Sequence, residues 1–509
     1  MAGAIALAAP RDDDNAPLEG GMLWVAAIVL ACANFMSILD LTIANVSLPN
    51  IAGGLAATSS QGTWIVTSYA VAEAIVVPLT GWLAARFGTV RVFITAMGMF
   101  GLLSALCGMA QTLAMIVAAR ILQGMAGGLL MPLSQTLLLR IFPKEKAGVA
   151  ITIWSMTTLI APILGPLLGG WLCDTLSWPW IFYINLPLSM VCLVFSGRFL
   201  NRYETRLMPT PIDVVGLGLL ILWVGALQLM LDLGKELDWF SSPEIIALAL
   251  TAGLGFLAFM LWELTEEHPV VDLRIFRHRG FTAAVITMSL GYGSIFALNV
   301  LTPLWLQTNM DYTASNSGQA TAWTAVASIC IAPLVARFSV KFDRRYLISG
   351  GVVWIGLVTL LRVNGTTDMA YWDIAWPLLI MGLGNPFFFI CLMGLALTSV
   401  EPAETASAAG LTNFFRTIFG AFGVSLMTTV WENRSIMVHA ELAGAIDPAH
   451  EGMQALQGIG VTGDAANAVV DRLLSTQSVM IATNDMMLYV AMTFLAAAVA
   501  IWLAPKPKR

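Results

Sequence analysis

Long apolar runs constrain this chain more than any other feature. Fourteen stretches of about 20 mainly apolar residues follow one another, and the polar residues collect between them. Hydrophobic residues make up 58% of the chain and charged residues only 11%, against about a quarter in a soluble domain. Only helices and closed barrels satisfy their backbone polar groups within lipid. We therefore predict an all-α polytopic membrane protein with fourteen transmembrane helices.

The predicted spans alternate with short polar loops. They lie at residues 22–46, 61–84, 91–110, 112–138, 147–172, 180–197, 212–232, 244–263, 281–306, 317–336, 346–362, 374–399, 407–431 and 484–504. Residues 1–21 lack the basic start and the longer apolar stretch of a signal peptide, so we predict a cytoplasmic tail. Residues 506–509 are predicted to form a second cytoplasmic tail.

The basic residues predict the orientation. Of the 25 Lys and Arg residues, 19 lie in one alternate set of loops and tails. Cytoplasmic loops of membrane proteins are rich in Lys and Arg, so these loops and both termini are predicted to be cytoplasmic. The remaining six are Lys235, Arg362, Arg434 and Arg472 on the opposite side, and Arg120 and Arg416 within spans.

Several function classes are disfavoured by the composition. A net charge of −6 argues against nucleic acid as a partner, which would need a basic face. The six cysteines and four histidines form no CxxC pair and no cluster with metal-ligand spacing, so no metal or cofactor is expected. The Gly234-Lys235 pair is followed by Glu236 and does not form a phosphate-binding loop, which argues against an ATP-driven pump. An enzyme would need an acidic or histidine cluster at one membrane face, and the sequence has none.

Five local patterns occur in order along the first 190 residues. Span 1 ends in LDLTIANVSLP from Leu39, and the loop after span 2 reads GWLAARFG from Gly81. Span 4 carries RILQGMAGG from Arg120, span 5 carries APILGPLLGG from Ala161, and span 6 opens with WPWIFYINLP from Trp178. Together the patterns resemble the major facilitator superfamily, in its fourteen-span branch of drug:proton antiporters.

The resemblance implies two six-helix halves around a central cavity, at residues 22–200 and 281–505, with two inserted helices and linkers at 201–280. It implies a proton-coupled antiporter of the bacterial inner membrane that exports hydrophobic drugs by alternating access. Protons would be the coupling ion. A membrane-fusion adaptor and an outer-membrane channel are the implied partners of a tripartite system. The alternatives are a transporter of a specific metabolite or fatty acid and, more remotely, a membrane-embedded enzyme.

Ionisable residues inside spans are costly and indicate function. Asp40, Glu73 and Arg120 are the candidate proton-coupling residues. A carboxyl group in a low dielectric holds its proton more readily, so both acids could exchange protons near neutral pH. The alternative is that either acid is permanently ion-paired and structural. Arg120 cannot lose its proton and can only tune the acids or hold backbone and substrate.

The other candidate residues fall into three sets. The candidate cavity residues are Asn34, Tyr69, Gln123, Asn385 and Arg416, of which Arg416 is equally compatible with a structural partner. The antiporter motif that the resemblance implies contains Pro162, Gly165, Pro166, Gly169 and Gly170, where prolines kink the helix and GxxxG spacing allows close packing. The implied cytoplasmic gate contains Gly81, Arg86, Gly88, Asp343 and Arg344.

Two further expectations concern irregular segments. Ala85 stands where the family pattern of the first loop has an acid, which puts the usual ion pairs of the gate in doubt. Gly382, Gly384, Asn385 and Pro386 predict a break in span 12. Residues 432–483 are predicted to form a long periplasmic loop with a short helix at 464–474, either a solvated connector or a docking surface for a periplasmic partner.

Overall fold

The computed structural model describes residues 20–57, 59–143, 146–205, 211–234, 237–267, 269–401, 404–445 and 464–506, together with residues 18 and 207. Most of the predicted N-terminal tail, the last three residues, Lys144, Arg206 and Lys235 lie outside the described residues. Within the described part all regular structure is helical. Thirteen helices are long and apolar enough to cross a membrane, and a bent helix pair raises the number to as many as fourteen.

Seventeen α-helices make up the spans. They are α1 Gly20–Gly54, α2 Ser59–Val76, α3 Thr80–Phe87, α4 Thr89–Gly108, α5 Leu113–Ile141, α6 Ala147–Thr175, α7 Trp180–Tyr183, α8 Asn185–Phe199, α9 Val214–Leu233, α10 Pro243–Thr265, α11 Arg279–Asn309, α12 Ala314–Lys341, α13 Arg344–Leu361, α14 Tyr371–Gly382, α15 Asn385–Thr398, α16 Thr405–Ala445 and α17 Asp464–Ala500. Three spans are composite, because a 3₁₀ turn joins α2 to α3 and short breaks separate α7 from α8 and α14 from α15.

The helices form two groups that touch at a few places. In the first group, α1 packs on α5, α6 and α8, and α5 packs on α2 and α4. In the second group, α11 and α16 pack on each other and on α17, α13 packs on α17, and α12 packs on α14 and α15. The groups meet where α6 contacts α12 and where α16 contacts α2, α3 and α5. The inserted helices α9 and α10 pack on each other, and α9 also touches α2 and α16. The domain limits at 22–200, 201–280 and 281–505 stay predictions.

The polarity of this bundle is the reverse of that of a soluble protein. Large apolar side chains such as Leu254, Leu261 and Val499 are exposed on its outer surface. Charged side chains such as Asp40 and Arg120 are fully buried. Lipid rather than water is the solvent that fits this distribution, and the polar interior is where a function is expected.

Two spans are interrupted where the sequence predicts it. α6 bends by 42° between Pro162 and Leu164, since a proline removes one helical hydrogen bond. Span 12 breaks between Gly382 and Asn385, and the Ser328 hydroxyl donates a 2.8 Å hydrogen bond to the freed carbonyl of Gly382. The break is therefore satisfied by the neighbouring helix α12.

The prediction of a long loop at 432–483 was wrong over most of its length. Helix α16 continues to Ala445 and helix α17 begins at Asp464, so the short helix predicted at 464–474 is the start of a helix of 37 residues. With 41 residues α16 is about 60 Å long, twice the thickness of the hydrocarbon core. A search for apolar runs stops where the sequence turns polar, although the helix does not. Residues 446–463 lie outside the described part.

An ion pair and a histidine–carboxylate contact join these two helical extensions. The Arg434 guanidinium lies 2.7 Å from the Asp485 carboxylate, and His439 lies 3.4 Å from Asp471. Each pair links α16 to α17. The two extensions are therefore held together beyond their apolar parts.

Candidate functional site

A closed network of polar side chains surrounds Asp40 in the first helix group. Asp40 on α1 and Arg120 on α5 form an ion pair, and both side chains are fully buried. The Gln123 amide donates a 3.1 Å hydrogen bond to one Asp40 oxygen, and the Asn185 amide donates one of 2.7 Å to the same oxygen. The Arg120 guanidinium also donates to Gln123 at 2.9 Å. Asp40 thus receives hydrogen bonds from three side chains.

Further contacts fix Arg120 in this network. Its Nε donates to the Ile65 carbonyl at 3.0 Å, and its guanidinium carbon lies 4.2 Å from the centre of the Tyr69 ring. The Tyr69 hydroxyl lies 3.3 Å from the Ser37 hydroxyl. Ser104 accepts hydrogen bonds from Gln123 and Asn185. We call Asp40, Arg120, Gln123, Asn185 and Ser104 the Asp40 network.

Close helix packing sets the position of Glu73. Gly124 and Gly128 on α5 lie against the backbone of Tyr69 and Glu73 on α2, so that a Cβ atom at either glycine would collide with it. These two glycines, which have GxxxG spacing, therefore bring α2 and α5 together. This packing holds the Glu73 backbone against α5.

Glu73 itself is bonded quite differently from Asp40. Its side chain is only 3% exposed, yet it forms no hydrogen bond and no ion pair with any residue that the structure describes. It lies within electrostatic reach of Arg416, Arg120 and Asp40. Glu73 is therefore a buried acid whose charge is not neutralised by a bonded partner.

Arg416 is a buried basic residue that contacts both helix groups. It lies on α16 and is 2% exposed. Its guanidinium carbon lies 5.4 Å from the Tyr292 ring centre and 5.8 Å from the Trp154 ring centre, and one terminal nitrogen contacts the Met131 sulfur. Tyr292 belongs to the second group, whereas Trp154 and Met131 belong to the first. In the described part of the chain Arg416 has no acidic partner within ion-pair distance.

Two amides near this contact were missed by the sequence analysis. Both polar atoms of Gln135 on α5 and both of Asn413 on α16 are buried without a hydrogen-bond partner among the described residues. Gln135 follows Met131 by one turn, and Asn413 precedes Arg416 by one turn. The sequence did contain a signal for both residues, since each is an amide side chain inside a predicted span. We call Glu73, Arg416, Gln135 and Asn413 the crossing region.

The predicted cavity residues do not meet at one place. Gln123 belongs to the Asp40 network and Tyr69 lies next to it, whereas Arg416 belongs to the crossing region. Asn34 donates hydrogen bonds to Thr157 at 2.7 Å and Thr158 at 3.1 Å, so it joins α1 to α6. Asn385 begins α15 in the second helix group.

The predicted antiporter motif places α6 between two helices. Gly165 and Gly169 lie against Thr42 and Ile43 of α1. Pro166 lies against Gly318 of α12. Gly170 is also buried, and Pro162 is half-buried at the bend. The motif therefore lies where the first helix group meets the second.

The first loop of the predicted gate contains a carboxylate from another segment. Gly88 joins α3 to α4 with a φ of 96°, which glycine adopts without strain. Glu204 approaches this loop, and its carboxylate accepts hydrogen bonds of 3.0 Å from the Val90 and Arg91 backbone nitrogens. The loop lacks an acid at Ala85, and Glu204 supplies one at the start of α4. Sequence reasoning missed Glu204 because it lies more than 100 residues away.

The remaining gate candidates make contacts within their own helix groups. Arg86 lies over the Trp82 ring at 5.7 Å in a helix that begins just before Gly81. Asp343 lies 2.8 Å from Arg345, whose hydrogen bonds lower the pKa of the Asp343 carboxyl. Arg344 donates a 2.8 Å hydrogen bond to the Gly394 carbonyl. The gating role of all these residues stays a prediction.

A bundle of membrane-length helices with charged residues buried in its interior is typical of polytopic membrane transporters. Residues 30–424 match the model of the Major Facilitator Superfamily, and the chain belongs to this superfamily. It is 40% identical to the multidrug export protein EmrB of Escherichia coli K12 over 496 residues, which cover 96% of this chain and 97% of that protein. It is 39% identical to the fatty acid resistance protein FarB of Neisseria gonorrhoeae over 97% of this chain and 98% of that protein.

Solved structures show the same fold at low sequence identity. A peptide transporter, POT, solved in complex with sulfate, superimposes with a TM-score of 0.59 at 14% identity and covers 94% of this chain and 95% of its own. A bacterial homologue of the lysosomal transporter Spinster superimposes with a TM-score of 0.57 at 14% identity, over 96% of this chain and all of its own. The predicted family and the predicted all-α transporter fold are confirmed.

Proposed function

We propose that this transporter exports hydrophobic drugs across the bacterial inner membrane in exchange for protons. The observation that carries the proton coupling is Glu73, a buried acid with no bonded partner among the described residues, beside an Asp40 that is fully bonded. A carrier needs an acid that gains a proton on one side of the membrane and loses it on the other. Glu73 is free to do so, whereas Asp40 is held by its ion pair with Arg120 and by two further hydrogen bonds.

Arg416 supplies the link between protonation and movement of the helix groups. Ionised Glu73 attracts the Arg416 guanidinium, which lies on the other helix group. Protonation removes this attraction and so changes the free energy of holding α16 against α2 and α5. The Asp40 network keeps Arg120 in place while Glu73 changes charge. Asp40 and Arg120 thus position the site, and Glu73 exchanges the proton.

The driving force is sufficient for export. One proton moving down a potential of about 100 mV releases about 2.3 kcal/mol, and each pH unit adds about 1.4 kcal/mol. At one proton per drug this sustains a gradient of tens-fold to hundreds-fold.

Aromatic and sulfur-containing side chains around the crossing region suit apolar substrates. Tyr292 stacks on Phe296 at 5.7 Å and meets Phe389 edge-on at 6.0 Å. Met131 and Trp154 of the first helix group also lie next to Arg416. Such surfaces adapt to ligands of varied shape. The EmrB relative supports multidrug export. The name of the FarB relative favours a fatty acid as the second candidate substrate.

The orientation and the partners belong to the same proposal. The loops rich in Lys and Arg face the cytoplasm, so the extensions of α16 and α17 enter the periplasm. Their exposed apolar residues, such as Ile436 and Leu473, support docking of a membrane-fusion adaptor there. An outer-membrane channel would complete the tripartite system.

Transport by the purified protein in liposomes tests the proton coupling. A pH gradient is imposed, and uptake of a fluorescent hydrophobic drug is followed in wild type, Glu73→Gln and Glu244→Gln. Glu244 is an exposed acid on the inserted helix α10 and serves as the matched control. We expect gradient-dependent uptake that a protonophore abolishes in wild type and control, and uptake without gradient dependence in Glu73→Gln. Full coupling in Glu73→Gln would refute the role of Glu73, and uptake by wild type without any gradient would refute antiport.

A further inference from the structure

A cleft in the second helix group contains an arginine that forms no ion pair with any described residue. It lies at the end opposite to the loops rich in Lys and Arg, between α11, the segment that follows α13, and α17. It is a small cleft that is partly open to solvent. Its walls include Trp305, Arg362, Met369, Met480 and Met487.

Arg362 has few of the contacts that a half-buried guanidinium requires. One terminal nitrogen donates a long 3.4 Å hydrogen bond to the Thr302 hydroxyl. The other is buried without a hydrogen-bond partner, and no carboxylate of the described residues lies within ion-pair distance. An unsatisfied buried donor is unfavourable, and more so when it is charged. A ligand that supplied an anionic oxygen would remove this penalty.

A second arginine at the same end, Arg434, has its charge neutralised by ion pairs. Arg434 lies 2.7 Å from Asp485 and 3.5 Å from Glu441. Asp373 also lines the cleft; its carboxylate accepts a 2.9 Å hydrogen bond from the Ala370 backbone nitrogen at the start of α14 and lies beyond ion-pair distance of Arg362. Among the described residues Arg362 therefore has no carboxylate partner of the kind that Arg434 has.

The cleft wall behind Arg362 is held in place by Asn484 on α17. The Asn484 amide donates to the Gly365 carbonyl at 2.9 Å and accepts from the Gly365 nitrogen at 3.2 Å. This two-point contact ties the segment after Arg362 to α17. The backbone that follows Arg362 is therefore held against α17 and is not part of a free loop.

Most of the large side chains in the rest of the wall are apolar, although Asp373 and Thr483 also line it. Met480 and Met487 are buried on α17, Met369 is half-buried, and Trp305 is buried on α11. Methionine side chains adapt to ligands of irregular shape. We propose that this cleft binds an anionic amphiphile, with its headgroup oxygen on Arg362 and its first carbons against the methionines. Both a free fatty acid and an anionic membrane lipid carry this chemistry. The site is separate from the crossing region and does not depend on proton coupling.

Binding of oleate to the purified full-length protein in detergent tests the proposal. Oleyl alcohol serves as the neutral analogue, and Arg472→Gln, which removes an exposed arginine at the same end, as the matched control. We expect Arg362→Gln to weaken oleate binding about tenfold, as for loss of a charged hydrogen bond, and Arg362→Lys to weaken it less. The control should bind like wild type. Equal binding of oleate by wild type and Arg362→Gln would overturn the proposal, as would equally tight binding of oleyl alcohol by wild type.

Photocrosslinking of the wild-type protein keeps the test valid if Arg362→Gln fails to fold. A diazirine-labelled fatty acid should label peptides that contain Met369, Met480 or Met487, and excess oleate should prevent it. Labelling confined to other helices would overturn the proposal. Nanodiscs of phosphatidylglycerol or phosphatidylcholine then distinguish the sources, with either result upholding the site. Loss of labelling in phosphatidylglycerol alone identifies a lipid headgroup, and equal labelling in both identifies the free acid.

Discussion

The Asp40 network and the crossing region hold the same kinds of charge in opposite states of bonding. Asp40 and Arg120 are paired, and three side chains donate to Asp40. Glu73 and Arg416 are as deeply buried, yet neither forms an ion pair within the described residues. A bonded acid stabilises one arrangement of helices. An unbonded acid between helix groups can change its charge at small structural cost, which is what coupling requires.

The largest expected effect comes from breaking the Asp40 network at one charge. Arg120→Gln leaves the Asp40 carboxylate buried without its cation, and loss of one partner of a buried pair costs about 3–5 kcal/mol. We expect a large fall in thermal stability in detergent and little folded protein. The double variant Asp40→Asn/Arg120→Gln should recover part of the loss, because no unpaired charge remains. A double variant that is less stable than Arg120→Gln would contradict the comparison.

Changing Glu73 should separate transport from stability. Because Glu73 has no bonded partner in the described structure, Glu73→Gln should change the free energy of unfolding by less than about 1 kcal/mol. Proton-coupled uptake should nevertheless be lost. The measurements are thermal stability and uptake in liposomes on the same preparation, with Glu244→Gln as the control. A loss of stability as large as that of Arg120→Gln would show that Glu73 is structural.

The loss of uptake caused by Arg416→Gln should depend in part on Glu73. Arg416→Gln removes the cation that lies opposite the acid, and we expect uptake to fall by about tenfold, or about 1.4 kcal/mol. If the two charges act together, the double variant Glu73→Gln/Arg416→Gln should lose no more than the more severe single variant. Additive losses of uptake would show that Arg416 acts on substrate or packing alone.

A smaller effect is expected where Glu204 caps α4. Glu204→Gln keeps the shape but removes the negative charge from a helix N-terminus, so stability should fall by about 0.5–1 kcal/mol. Asp368→Asn, which changes an exposed acid, is the control. High salt should reduce the difference between Glu204→Gln and wild type. An unchanged melting temperature at low salt would show that the charge of Glu204 does not stabilise the start of α4.

The smallest effect concerns Asp343 and its dependence on pH. Arg345 lowers the pKa of the Asp343 carboxyl by hydrogen bonding, so the pair stabilises the fold above the unfolded pKa of about 4. This contribution is lost as the pH falls through the lower folded pKa. Because Asp343 is partly exposed, we expect Asp343→Asn to cost less than about 1 kcal/mol at pH 7. The melting difference between variant and wild type should shrink toward pH 3, and a difference that grows would contradict the assignment.

The two regions also differ in how well the sequence predicts them. The Arg120-x-x-Gln123 spacing puts both side chains on one helical face, and both indeed bond to Asp40. Asn185 was not selected, because it stands 145 residues from Asp40. Asp40 and Glu73 look alike in sequence as single acids in apolar runs. Only the positions of α5 and α8 make one bonded and the other unbonded.

The sequence by itself determined the membrane class, the approximate limits of most spans and the family, because lipid requires long apolar runs and the motifs are local. It also determined the breaks at Pro162 and Gly382, since backbone chemistry acts within a few residues. The tertiary structure decided which buried charges are neutralised, where α16 and α17 end, and that Arg362 turns into a cleft. Each of these depends on which distant helices pack together. Contacts between residues far apart in sequence follow no fixed spacing, so a local pattern cannot predict them.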